Sequence, residues 1–106
     1  RKLELNMNGI TCVGATAIAK AIEKNSSLQV LNLQWNSIKD AGKIEMAKSL
    51  EINCGLATLI MDGNGETSGV VDDAFGKMLR HNDSLAELRM KGLNMNVGER
   101  VHDLEA

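Results

Sequence analysis

Apolar side chains fall along this chain in two alternating rhythms. In residues 28–38, LQVLNLQWNSI, the order Leu28, Leu31, Leu33, Asn36, Ile38 puts Leu31 and Leu33 on one side of an extended segment and Asn32 and Gln34 on the other. That spacing predicts a short strand. A longer rhythm marks helices: Ala15, Ile18, Ala19 and Ile22 are spaced i, i+3, i+4, i+7, which lays an apolar stripe along one face. Met46, Ala47 and Leu50 repeat its last three positions, as do Phe75, Gly76 and Leu79.

The strand-and-helix unit recurs. Leu3, Leu31, Leu59 and Leu88 stand 28, 28 and 29 residues apart, and a period of this size marks stacked supersecondary units. The units run over 1–27, 28–55, 56–84 and 85–106. Asn8, Asn36 and Asn64 follow the strands; each offers a donor and an acceptor to loop backbone, so the stack predicts an asparagine ladder. Ile10 and Ile38 cover the turn, and Asp40 and Ser68 occupy the expected N-cap positions. Asn25, Asn53 and Asn82 are expected to stop the helices in the left-handed conformation. The aligned small residues Ala19, Ala47 and Gly76 predict close approach of helix to sheet. One extra residue lies between Asn64 and the third helix, so the loop Glu66 to Val70 is expected to be longer and more mobile than its counterparts. In the fourth unit Leu85, Leu88 and Met90 hold register, but Leu93 takes the ladder position. A last helix is expected from near Val97, with Val101 and Leu104 as its apolar contacts.

The string L-x-x-L-x-L-x-x-N-x-I, complete at Leu28 to Ile38 and nearly so from Leu3 and from Leu56, resembles the leucine-rich repeats of the ribonuclease-inhibitor type. The resemblance implies an α/β leucine-rich-repeat right-handed solenoid of about four repeats, with parallel strands on the concave face and helices on the convex face. Arg1 falls inside a repeat, which reads as a fragment of a longer array whose uncapped ends could self-associate.

Charge narrows the function. A net charge of −2 and a pI near 5.6 give no electrostatic footprint for nucleic acid or for an acidic membrane surface. No apolar run reaches the roughly 20 residues of a membrane span, and no leader opens the chain, so a cytoplasmic or nuclear protein is expected. Cys12 and Cys54 fall in loops at opposite ends of the strands, too far apart for a disulfide, which fits a reducing compartment. Asn25-Ser26-Ser27 and Asn82-Asp83-Ser84 match the glycosylation acceptor pattern, but their asparagines share one repeat position, which explains them structurally.

Chemistry finds little support. Asp62-Gly63-Asn64-Gly65-Glu66 with Asp73 approaches a calcium loop, yet Thr67 stands where that loop needs glycine, Asp73 replaces the terminal glutamate, and a strand precedes it. The same glycines fit no phosphate-binding motif. His81 and His102 lack the spaced partners of a metal set, and His81 suits a helix C-terminus. Register brings none of Cys12, Ser26 and Ser68 beside a histidine. No enzyme activity, cofactor or metal is expected.

What remains is a surface. The outward strand positions stack into the columns Glu4, Asn32, Ile60, Arg89; Asn6, Gln34, Asp62, Lys91; and Met7, Trp35, Gly63, Gly92. Trp35, the only tryptophan, falls where no core explains it. It reads either as a binding anchor with a notch at Gly63 for a partner's side chain, or as an indole laid flat over Met7 and the glycines to shield the sheet. The expected partner-binding set is Met7, Asn32, Gln34, Trp35, Ile60, Asp62, Arg89 and Lys91. The function read from it is non-catalytic recognition of a protein. Ribonuclease inhibitors, nucleotide-binding leucine-rich-repeat sensors, tropomodulin-like actin cappers and activators of the Ran GTPase carry similar repeats. Regulation of a small GTPase, or a purely structural segment of a larger assembly, are the alternatives.

Overall fold

Backbone pairing follows the leucine register. The structure, a computed structural model, describes residues 1–90 and the two-residue strand at 95–96. Its order is β1 (Lys2–Glu4), α1 (Cys12–Lys24), β2 (Val30–Asn32), α2 (Asp40–Leu50), β3 (Thr58–Ile60), α3 (Gly69–His81), β4 (Glu87–Arg89) and β5 (Met95–Asn96). The strands form one sheet in sequence order. Leu3, Leu31, Leu59 and Leu88 are direct partners across β1 to β4, which run parallel. Each crossover carries a helix, the long connection that parallel strands require. Leu31, Leu33, Leu59, Met61, Leu88 and Met90 are buried with the helix residues Ala15, Ala19, Ile22, Met46, Ala47, Leu50, Phe75 and Leu79 in one apolar cluster. Both sequence periods therefore converge on one layer between sheet and helices.

Two sets of asparagines tie the repeats together. Asn36 donates through Nδ2 to the carbonyl of Leu5 in the preceding repeat (3.1 Å) and to that of Leu33 in its own (2.9 Å), while its Oδ1 accepts from Asn8 N–H (2.9 Å) and Ile10 N–H (3.0 Å). Asn64 repeats the arrangement on Leu33, Met61 and Ile38. Asn8 is exposed, its Nδ2 reaching only the carbonyl of Asn6 at 3.3 Å. A second ladder runs at the opposite end of the strands. Asn53 donates to Ile22 and Asn25 and accepts from the backbone of Gly55 and Leu56; Asn82 does the same one repeat on.

The second ladder corrects the expected helix ends. Asn25 (φ −97°, ψ 127°) and Asn82 (φ −87°, ψ 132°) are extended rather than left-handed; Asn82 donates to the carbonyls of Leu50 and Asn53 in the preceding turn, whereas Asn25 Oδ1 accepts from the N–H groups of Ser27 and Leu28 that follow it. Helix α2 ends at Leu50, followed by Glu51 in right-handed helical geometry. Ser68 is an N-cap whose hydroxyl accepts from Val71 N–H at 3.4 Å, but Asp40 is the first helical residue of α2, with Lys39 at the cap. There its charge serves the positive end of the helix dipole. Cys12 opens α1 rather than lying in a loop, and both Cys12 and Cys54 are free. A close approach not foreseen is that of α1 to α2 at Gly42, where a Cβ would lie 2.8 Å from Ile38 Cγ2 and 3.1 Å from both Ala15 Cβ and Cys12 Cα.

Lys43 is the residue the sequence reading overlooked. It is 1% exposed and reaches across to donate to the carbonyls of Glu66 (3.1 Å) and Gly65 (3.4 Å). The irregular loop is thus held at its start by a buried ammonium. Burial pushes the Lys43 pKa down, with Asp40 opposing and Lys39 adding to the shift.

The sheet ends differently from the expected run of repeats. After β4 the chain turns back, and β5 pairs antiparallel with it, Glu87 opposite Asn96 and Leu88 opposite Met95. The five residues between Arg89 and Met95 are too few for a parallel crossover, which needs a dozen or more. The β4 edge is therefore occupied, and among the described residues β1 pairs with β2, with Leu3 41% exposed. Leu93, Asn94 and the helix expected from Val97 lie outside the described residues.

Candidate functional site

The sheet face opposite the helices carries the surface residues. Registered pairing places Lys2, Val30, Thr58 and Glu87 in one row and Glu4, Asn32, Ile60 and Arg89 in the next. Alternation then places Asn6, Gln34 and Asp62 in a third. At the outer strands charge is neutralised within the chain. Lys2 Nζ lies 3.3 Å from Glu4 Oε2, and Arg89 Nε lies 2.9 Å from Glu87 Oε2, each pair two residues apart on one strand and so on one face. Being exposed, such pairs contribute little to stability.

The inner strands carry the less polar centre. Val30, Thr58 and Ile60 are half-buried there, with Gln34 and Asp62 beyond them. Asn32 departs from its expected role as an open contact: it is 8% exposed, and its Oδ1 accepts the N–H of Gln34 at 3.0 Å. A short side chain on an interior strand folds onto its own backbone and is screened by its neighbours. Lys91 lies outside the described residues.

Met7, Trp35 and Gly63 share an unusual backbone. Their φ angles are 59°, 58° and 80°, a left-handed bend recurring at one position of three successive repeats. Hydrogen bonding continues through the bend, with Met7 N–H donating to Gln34 O (3.1 Å) and Trp35 N–H to Asp62 O (2.8 Å). Glycine adopts this conformation freely, whereas bulky residues do so at a cost of about 1–2 kcal/mol. Trp35 and Met7 nevertheless occupy it, 61% and 70% exposed.

The notch expected at Gly63 is filled by the indole of Trp35. A Cβ on Gly63 would lie 2.5 Å from Trp35 Cε3, 2.6 Å from Cδ2 and 3.0 Å from Cζ3. One side of the ring is thus seated on the Gly63 backbone, and the rest of it faces outward. The two sequence readings of Trp35 each describe part of this: the ring does lie over a glycine, and it leaves most of its surface open.

The other chemical candidates are occupied by structural tasks. Asn64, inside the calcium-loop-like segment, spends its side chain on Leu33, Met61 and Ile38. His81 ends α3, its Nδ1 2.9 Å from the Lys77 carbonyl and 3.9 Å from Glu51 Oε1. A cavity of about 410 Å³ lies between the turns that follow α2 and α3, bordered by Glu51, Cys54, His81 and Asp83. Cys54 there contacts only the carbonyl of Ile52, at 3.5 Å, among the described residues. No group of three or more His, Cys, Asp or Glu among the described residues is placed to hold a metal ion. No helix among them is long and apolar enough to cross a membrane.

With this geometry in hand, the family comparison concerns the repeat itself. The family described as Leucine Rich repeat matches residues 1–19 and 24–47, which cover the first strand with most of its helix, then the second strand and the larger part of α2. The leucine-rich repeat is thus the unit of the matched segments, and the same register continues into β3 and β4. Among solved structures, the Actin-Binding Site 2 of leiomodin-1 superposes with a TM-score of 0.80 at 21% identity, covering 97% of this chain and 62% of that one. The tropomodulin C-terminal domain of Caenorhabditis elegans gives 0.80 at 19% identity, covering 95% and 62%. This chain spans about three-fifths of the length of either structure, and at such identities the likeness speaks for fold alone. Among curated proteins, none matches the sequence significantly.

Proposed function

We propose that the chain is a non-catalytic protein-recognition module of a ribonuclease-inhibitor-like leucine-rich array, and that it engages its partner through the open sheet face centred on Trp35. The observation that carries this reading is the tryptophan's position. Folding alone favours glycine at this bend, as the third repeat has at Gly63, yet an exposed indole is held there in a strained backbone. Strain kept at a surface position points to use rather than packing. Its surroundings suit an interface: a less polar centre on β2 and β3, bounded by self-neutralised charges on β1 and β4.

Actin is the partner to test first. The support is the fold shared with leiomodin-1 Actin-Binding Site 2 and with tropomodulin. Surface-immobilised protein would be titrated with monomeric and with filamentous actin, alongside Trp35→Ala. The substitution is expected to weaken binding by more than about 1 kcal/mol, roughly fivefold or more, while far-ultraviolet circular dichroism stays unchanged. Absence of binding would retire actin; binding indifferent to the substitution would retire this surface.

A further inference from the structure

Trp35 and Asp62 form a combination that points to the chemistry of the partner. The Trp35 N–H donates to the Asp62 carbonyl at 2.8 Å, and the indole is seated on Gly63, the residue next to Asp62. Consecutive Cα atoms are about 3.8 Å apart, so the carboxylate starts one residue from the seat of the ring, on the same open face. Lys2, Glu4, Glu87 and Arg89 are neutralised within their own strands. The half-buried Asp62 differs: its carboxylate makes no hydrogen bond or ion pair among the described residues. Lys91, which the repeat register puts in the same row, lies outside the described residues; among those described, a negative charge without a partner beside an exposed aromatic face is a site for a cation.

We infer that the Trp35–Asp62 pair receives a basic side chain, preferentially arginine, from a protein partner; the inference rests on the recognition role proposed above and specifies what is recognised. An arginine can lie flat on the indole while its guanidinium fork meets the carboxylate, so the two attractions add at one group. Lysine brings the same charge without the planar match. A neutral apolar knob would make no use of the Asp62 carboxylate, and an acidic segment would be repelled by it. The filled notch at Gly63 agrees with this: the ring presents a platform to stack on rather than a hole to fill.

The test uses the indole as its own reporter, since Trp35 is the only tryptophan. An acetylated, amidated tetra-arginine peptide is titrated into the protein at low salt, with tetra-citrulline and tetra-glutamate peptides of the same length in parallel, following tryptophan emission. The arginine peptide should give a saturable change, the other two none. Asp62→Asn, which preserves shape and removes charge, should weaken it about tenfold, with thermal melting unchanged. An equal response to citrulline, or an unchanged affinity in Asp62→Asn, would overturn the inference. Actin binding measured on the same two variants separates the claims. Loss in Trp35→Ala with no effect of Asp62→Asn leaves the recognition face standing and removes the cation site. A sound peptide titration with no Trp35-dependent protein binding does the reverse.

Discussion

Asn64→Ala measures what the asparagine ladder is worth. The Asn64 side chain is 2% exposed and serves three backbone groups: the carbonyls of Leu33 and Met61, each at 2.9 Å, and the N–H of Ile38 at 3.0 Å. Alanine would remove the partner of Met61 O and of Ile38 N–H in a buried turn, while Leu33 O keeps Asn36 Nδ2 at 2.9 Å. A buried polar group left unpaired costs about 1–3 kcal/mol, so two give about 2–6 kcal/mol, with the lower figure applying if water enters the vacated space. A domain of this size is stable by about 5–15 kcal/mol, so the variant should lie close to half-unfolded under mild denaturant. Asn8→Ala is the internal control. It occupies the same motif position, but its side chain is exposed and donates only to Asn6 O at 3.3 Å, so about 0.5 kcal/mol or less is expected. Urea unfolding followed by circular dichroism at constant m-value reads both. Equal losses in the two variants, or a loss under about 1 kcal/mol for Asn64→Ala, would refute the view that the ladder acts through buried backbone groups.

Three further outcomes follow from the geometry. Gly63→Ala places a methyl group 2.5 Å from Trp35 Cε3 on a left-handed backbone, so the indole must leave its seat. Its emission should move to longer wavelength with a stability loss of about 1–2 kcal/mol, and an unmoved spectrum would contradict the packing described. Lys43 has its pKa lowered by burial, so its charged form is penalised in the folded state at neutral pH. As pH rises from the lowered folded value towards the ordinary one near 10.5, the folded state sheds its proton first and the wild type should gain stability over Lys43→Met. Urea midpoints of both proteins at neutral pH and near pH 10 check the sign, and a change favouring the variant would reverse the assignment. Finally, in the 106-residue chain the β1 edge opposite β2 and half-exposed Leu3 should support weak dimers that Leu3→Lys suppresses, because an edge lysine opposes strand addition. Sedimentation equilibrium over a concentration series reads this, and a wild type that stays monomeric throughout removes the expectation.

The alternation at Leu31 and Leu33, the helical stripes and the recurring asparagines were all readable from the chain, because each reflects a local period imposed by backbone sterics. From them came the four parallel strands in leucine register, the intervening helices and the ladder at Asn36 and Asn64. Lys43 left a readable trace too, since it stands where the first repeat has Ala15, at the single stripe position that Met46, Ala47 and Leu50 did not complete. What it bonds to was not readable. The second ladder, the fold-back of β5, the burial of Asn32 and the seating of Trp35 on Gly63 depend on groups brought together across neighbouring strands and turns. The ladder bonds, for example, join residues 26 to 32 positions apart. Short-range periodicity says which side of an element a residue occupies; whether that side is open, filled or charged is set by its neighbour in the next repeat.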